Sequence, residues 1–182
     1  LNPFLKNDML SVHNILMKDL TIEAGIFRSG GVGIYAGKEL IHMAPPADRV
    51  PILMKDLMDW VKKAEVHPLI KSSVFHYEFE FIHPFADGNG RMGRMWQTLL
   101  LYQWKPLFGW LPIETLIQER QDEYYKVLGE CDNTADSGKF VEFILQAMYD
   151  VLTETAGTEQ VAEQQTEQVK KLLEVFGSKE LT

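Results

Sequence analysis

Apolar residues recur at helical spacing along most of this chain, and the main exception is one glycine-rich stretch near its start. Val12, Ile15, Leu16 and Leu20 mark an amphipathic helix over 7–20, with Asn7 or Asp8 as its N-cap. Ile52, Leu53, Leu57, Trp60, Val61 and Ala64 trace one face of a helix over about 49–65, capped by Asp48 after Pro45-Pro46. Pro68 suits a first helical turn, and Ile70, Val74, Tyr77 and Phe81 carry the helix it opens to Ile82. A helix starting at about Arg91 reaches Trp104 with Trp96, Leu99, Leu100 and Gln103 along it, and Pro106 ends it. Phe108, Trp110, Leu111 and Pro112 form an apolar connection. Residues 113–131 then read as one helix, 132–138 as a loop, and 139–153 as a helix burying Phe140, Phe143, Ile144 and Met148.

The exception runs from Gly25 to Met43. Its glycines and short β-prone runs, Ile34-Tyr35 and Leu40-Ile41, predict a hairpin turning near Gly37-Lys38. An isolated hairpin is marginal, so it must pack on the helices or serve as a mobile edge. Such an edge can receive an extended peptide by strand addition, although an ordinary connecting hairpin has the same signature.

The last thirty residues change character. Thr158-Glu159-Gln160-Val161 echoes Thr166-Glu167-Gln168-Val169 in a Gln/Glu-rich run, and Val169, Leu172, Leu173, Val175 and Phe176 begin another amphipathic helix. The domain is therefore expected to cover 1–153, with 154–182 as a linker and a further helix. The chain starts at Leu1 without Met and is expected to be a fragment.

Composition narrows the function classes. The chain has 182 residues, room for one well-buried core. A net charge of −8 argues against a broad nucleic-acid surface. One cysteine, Cys131, excludes an internal disulfide and reads as a half-buried helix residue rather than a nucleophile. No apolar run reaches membrane-spanning length and no signal peptide is evident, so a cytoplasmic location is the default.

The chemistry concentrates in His83-Pro84-Phe85-Ala86-Asp87-Gly88-Asn89-Gly90-Arg91-Met92-Gly93-Arg94. Histidine titrates near neutrality, so His83 suits a general base, and Pro84 biases it out of the helical region to a helix rim. Phe85 is expected to anchor the turn in the core. Asp87 is a hard oxygen ligand of the kind that holds Mg²⁺ (or Mn²⁺) together with phosphates. Gly88-Asn89-Gly90 can aim successive backbone N–H groups at one anion, and a helix starting there adds its positive dipole end. Arg91 and Arg94 share a helix face in the first turn, where cations oppose the dipole unless an anion compensates. Guanidinium pairs with phosphate through two parallel hydrogen bonds. A tight Asp-Gly/Asn-Gly turn is the plain alternative, weakened by helical patterning on both sides. His13, His42 and His76 read as packing, surface or structural histidines, His76 bonded to backbone, and Glu80 as a solvated or pairing carboxylate.

This segment resembles the signature of the Fic family, His-Pro-Phe-x-Asp/Glu-Gly-Asn-Gly/Lys-Arg-x-x-Arg, at every specified position, and the likeness covers about residues 5–150. It implies an all-α Fic fold, a bundle of about six to eight helices with a small hairpin flap over about 26–43. It further implies transfer of AMP from ATP to a Ser, Thr or Tyr hydroxyl of a target protein, with pyrophosphate leaving. His83 would be the base. Asp87 (also the metal ligand), Gly88, Asn89, Gly90, Arg91 and Arg94 would hold the nucleotide's phosphates. Ile34 and Tyr35 of the flap, and Tyr124, Tyr125 and Asp132, would lie around the rest of it. The target would dock on the flap as an extended segment; self-modification and a homodimer stay open. The family resemblance also makes 154–182 the linker and first helix of a truncated winged-helix domain, the only route to nucleic acid.

Gly90 in place of lysine matches the AMP-transferring form. Transfer of phosphate, UMP or phosphocholine, removal of AMP, and a nucleotide-binding regulatory module remain alternatives. The family's inhibitory Ser/Thr-x-x-x-Glu-Gly/Asn motif is absent from the sequence: Thr115–Glu119 and Thr155–Glu159 have the spacing but are followed by Arg120 and Gln160. The chain is expected not to inhibit itself in cis.

Overall fold

The computed structural model describes residues 1–36 and 38–157. The expected turn at Gly37 and the tail from Thr158 lie outside these residues. The order of elements is α1 (Lys6–Leu16), β1 (Gly33–Ala36), β2 (Glu39–Met43), α2 (Val50–Lys63), α3 (Pro68–Ile82), α4 (Asn89–Trp104), α5 (Ile113–Glu119), α6 (Gln121–Thr134) and α7 (Gly138–Gly157). Among the described residues this is an all-α fold of seven helices with one antiparallel hairpin, as expected.

α3 is the axis. It opens with Pro68 at its first position, and the His67 side chain accepts from the Leu69 amide. A helix that is apolar nearly all round belongs inside, and α3 buries Leu69, Phe75, Tyr77, Phe79 and Ile82. It serves two cores at once. Leu69 and Tyr77 join Leu101, Phe108, Leu128, Phe140 and Ile144 on one side. Phe75 and Phe79 join Met9, Met54, Leu57, Phe85 and Trp96 on the other. Each such side chain contributes about 1.5–3 kcal/mol on burial, so the end of α3, where His83 stands, is firmly placed.

The buried stripes of α1 and α2 differ in part from the expected ones. α1 ends at Leu16 with Met17 as its C-cap, and Asp19 beyond it takes a left-handed φ of 63°. Its buried residues are Met9 and His13, while Ile15 and Leu20 are exposed. Leu5 rather than Asn7 or Asp8 is the N-cap. In α2 the buried stripe is Val50, Met54, Leu57, Met58 and Val61, and Ile52 faces solvent. Methionine, unbranched and adaptable, carries both corrections. The expected helix over 113–131 is two, broken at Arg120, and α6 runs on to Thr134, so Asp132 is helical. Trp110, assigned to an apolar connection, is 78 % exposed.

The hairpin pairs Ile34 with His42 and Tyr35 with Leu40, which leaves Ile41 as an extra residue on β2. Ile41 packs on α6 at Gly129, and this seats the hairpin beside the site.

Candidate active site

His83 caps α3 in a left-handed conformation, φ 50° and ψ 62°, rather than the extended one that a following proline favours. A non-glycine residue pays roughly 1–2 kcal/mol for this region. Arg28 holds the turn. It is 3 % exposed, and its guanidinium donates to the carbonyls of His83 (2.7 Å), Gly30 (2.8 Å), Pro45 (2.6 Å) and Ile82 (3.2 Å). Nothing in the sequence singled Arg28 out.

Phe85 is fully buried, as expected, and its ring stacks on His13 at 3.7 Å. His13 accepts from the Gly25 amide at Nδ1 (2.9 Å), so Nε2 carries the proton and donates to the Asp87 carbonyl (3.0 Å). Burial lowers its pKa, in keeping with a neutral ring. His13 is thus a packing residue that braces the motif.

Gly88 is the N-cap of α4 at φ +83°, a region that suits glycine, and a Cβ there would meet Met17 Sδ at 2.7 Å. The helix begins at Asn89, two residues before the expected start. Asn89 is buried and its amide clasps Phe85 twice, accepting from the Phe85 N–H and donating to its carbonyl, both at 2.8 Å. Its side chain therefore shapes the turn. Met92 N–H bonds back to Gly88 O (3.0 Å), and the amides ahead of it stand at the helix mouth.

Asp87 accepts from the Gly88 amide (2.6 Å), and its carboxylate is 66 % exposed. Arg91 reaches to 4.0 Å from it and donates to Met17 Sδ. Arg94 folds back toward the helix mouth: a Cβ on Gly90 would lie 3.0 Å from its Nη1. Its Nε donates to Glu114 of α5 (3.1 Å). That partner is Glu114 rather than Glu119, and Glu159 lies outside the described residues.

Arg91, Arg94, Glu114, Tyr124 and Tyr125 line a cavity of about 270 Å³. Tyr125 also borders a neighbouring groove of about 480 Å³ between β2 and α6. Tyr124 is 4 % exposed and gives its hydroxyl to His76 (3.3 Å), so it offers the cavity an edge. Ile34 is buried in the core, and the side chain of Tyr35 lies outside the described residues. Asp132 is engaged by His42: the Asp132 carboxylate meets Nδ1 of His42, whose Nε2 donates to the Phe81 carbonyl (2.7 Å).

His83 faces the Glu80 carbonyl through Nδ1 (3.3 Å), which fixes Nδ1 as donor and leaves Nε2 as an acceptor. Burial lowers its pKa to about 4, helped by the charges of His42 and Arg28, so it is a neutral base at pH 7. Two buried groups stand behind it. His76 is bonded to the Gln97 side chain (2.7 Å) and Tyr124, not to backbone, and burial lowers it to about 3. Glu80 is buried rather than solvated: it is 3 % exposed, its Oε2 lies 3.8 Å from His83 Nδ1, its Oε1 has no hydrogen-bond partner, and burial raises it to about 7.

No cluster of three or more His, Cys, Asp or Glu suited to a metal exists among the described residues. Asp87 presents an exposed carboxylate at the helix mouth, which fits a Mg²⁺ completed by phosphates and water. No described helix is long and apolar enough to cross a membrane.

Residues 3–101 match the sequence pattern of the Fic/DOC family. The chain is similar to proteins named protein adenylyltransferase Fic, at 33 % identity in Aedes aegypti and 30 % in Nematostella vectensis. These matches take in 75 % and 76 % of this chain but only 26 % and 31 % of the relatives. The chain therefore spans about a quarter to a third of their length. In structure it is similar to a Fic family protein from Desulfovibrio desulfuricans G20, with TM-score 0.84 and 56 % identity over 90 % of this chain and 51 % of that one. A fold likeness extends to Fic-1 from C. elegans at 20 % identity and TM-score 0.61, over 96 % of this chain and 44 % of that one. With the motif on the mouth of α4 and the hairpin beside it, the chain belongs to the Fic/DOC family.

Proposed function

We propose that this domain transfers AMP from ATP to a Ser, Thr or Tyr hydroxyl of a target protein. One observation carries the reading: a neutral histidine with its Nε2 free stands beside a helix mouth that two arginines share. The names of the relatives support it.

The phosphates lie over the amides of 88–90, with Arg94 and Arg91 on the β- and γ-phosphates and Asp87 supplying one ligand to Mg²⁺. That ion, when bound, neutralises charge on the phosphates. Tyr125 and Tyr124 border the nucleotide, and Ile34 and Tyr35 hold the flap over it. The target runs along the hairpin edge as an extended segment. His83 Nε2 takes the hydroxyl proton, the oxygen attacks the α-phosphorus in line, and pyrophosphate leaves with the electron pair of the broken P–O bond. Positioning and charge stabilisation supply most of the acceleration. Glu114 must release Arg94 before the phosphates take it.

The test is mass spectrometry of lysate proteins incubated with this domain, ATP and Mg²⁺. A gain of one adenosine monophosphate on a hydroxyl side chain supports the reading. A gain of phosphate or another nucleotide replaces it.

A further inference from the structure

We infer that Glu80 is a positioning residue for His83: from behind the imidazole its carboxylate holds the Nδ1–H tautomer and stabilises the imidazolium formed when Nε2 accepts a proton. This deepens the AMP-transfer reading and rests on it for the activity measurements.

Glu80 Oε2 lies 3.8 Å from His83 Nδ1, the nitrogen that already donates to the Glu80 carbonyl at 3.3 Å. One residue thus sets an accepting carbonyl and, just beyond hydrogen-bond reach, a carboxylate charge against one N–H. The carboxylate has no resident counter-charge. His76 Nε2 is 3.9 Å away, but the ring is neutral and its two nitrogens are occupied by Gln97 and Tyr124. Arg94 of α4 acts on Glu80 only through its field, with its guanidinium drawn to Glu114. The Tyr124 hydroxyl of α6 is the remaining titratable group that faces it. A buried carboxylate without a partner is costly, and its Oε1 is unpartnered here. During transfer a partner appears, because protonated His83 is a cation beside it.

The sequence makes room for this group. A Cβ on Gly93 would lie 2.6 Å from Glu80 Oε1, so a side chain there would displace the carboxylate. Gly93 occupies an unspecified position of the motif, and the contact accounts for a glycine there.

In the step itself the hydroxyl O–H breaks and N–H forms at Nε2. The O–H pair becomes the new bond to phosphorus as the P–O bond to pyrophosphate breaks and pyrophosphate leaves with that bond's electrons. Glu80 stays ionised throughout and neither gains nor loses a proton, as with the carboxylate behind a catalytic imidazole. Burial raises its pKa to about 7, so the ionised form grows as pH rises through neutrality. His83 is also faced by His42 of β2, Arg28 and Asp87, none of which Glu80→Gln alters.

The experiment compares wild type, Glu80→Gln and Glu80→Asp by kcat and KM for ATP across pH 5.5–8.5, and by ¹⁵N NMR of the His83 ring in the free protein. Expected is a fall in kcat of roughly tenfold or more in Glu80→Gln with KM nearly unchanged. The wild-type rise through about pH 7 disappears in Glu80→Gln and persists in Glu80→Asp. The ring shifts toward a mixed tautomer in Glu80→Gln. Unchanged kcat, or a fall that leaves the rise through neutrality in place, overturns the inference. Should wild type transfer no AMP, the NMR comparison decides alone: an unchanged tautomer overturns it and a mixed one upholds it. If Glu80→Gln does not fold, Gly93→Ala, which displaces the carboxylate without removing it, is read by kcat and the ring tautomer: a fall in kcat with a mixed tautomer upholds the inference, and neither change overturns it.

Discussion

Nδ1 of His42 on the hairpin meets the Asp132 carboxylate on α6 and so joins the two elements, and the other nitrogen of His42 reaches the Phe81 carbonyl of α3. Both ring nitrogens face acceptors. Three elements are joined at one side chain that is 4 % exposed. Asp132→Asn or His42→Ala is expected to remove about 1–3 kcal/mol and to loosen the hairpin. Hydrogen exchange of amides 33–43 should accelerate while exchange in α3 stays slow. Unchanged hairpin exchange would mean that Ile41 against Gly129 suffices to hold it.

Arg28 carries the turn at His83, and its four carbonyl partners all lose their donor if it is removed. Arg28→Ala should cost about 2–4 kcal/mol by thermal or urea unfolding, since buried acceptors are left unpaired. Arg28→Lys should recover little, because a single ammonium cannot span that fan of acceptors.

Gly88→Ala meets two obstacles, a φ of +83° and Met17 Sδ at 2.7 Å. The backbone term alone is about 1–2 kcal/mol. The melting temperature should fall, and KM for ATP should rise several-fold as the helix mouth shifts. Replacing Met17 with alanine in the same chain should recover part of the stability, and this separates the clash from the backbone strain.

Stability should depend on pH in a way that Glu80→Gln changes. His76 and His83 are lowered to about 3 and about 4 from 6.5, so the unfolded chain binds their protons more tightly and acidification below 6.5 favours unfolding. Glu80 is raised from 4.5 to about 7, so the folded chain binds its proton more tightly and acidification from 7 to 4.5 favours folding. Two histidines outweigh one carboxyl between 6.5 and 4.5, and net stability should fall there. Glu80→Gln removes the opposing group: its melting temperature should rise relative to wild type at pH 8 and decline more steeply in acid. A mutant that is slower yet more stable at pH 8 is the expected signature of a strained functional residue.

The fold class was legible because most of the chain repeats at helical spacing and one glycine-rich stretch does not. The motif was legible because its residues are contiguous. What escaped were groups whose meaning depends on distant neighbours. Arg28 lies 55 positions from the His83 carbonyl it holds, and His13 lies 74 from the Asp87 carbonyl. Glu80 looked like a surface carboxylate because its burial comes from α3 being enclosed on nearly every side. Asp132 was assigned to the nucleotide on family resemblance, yet it meets His42, and the pairing needed α6 to continue past the expected loop. Where the stripes of α1 and α2 depart from expectation, methionine supplies part of the difference: Met9, Met54 and Met58 are buried, while Leu57 and Val61 are buried as expected.

The most direct test of AMP transfer supplies ATP labelled at the α- or the γ-phosphate, with Mg²⁺ and a lysate, to wild type and His83→Ala. The account predicts protein-bound α-label, no γ-label, and loss of the signal in the mutant by roughly a hundredfold or more. Bound γ-label without α-label, or α-label that survives in His83→Ala, would contradict it.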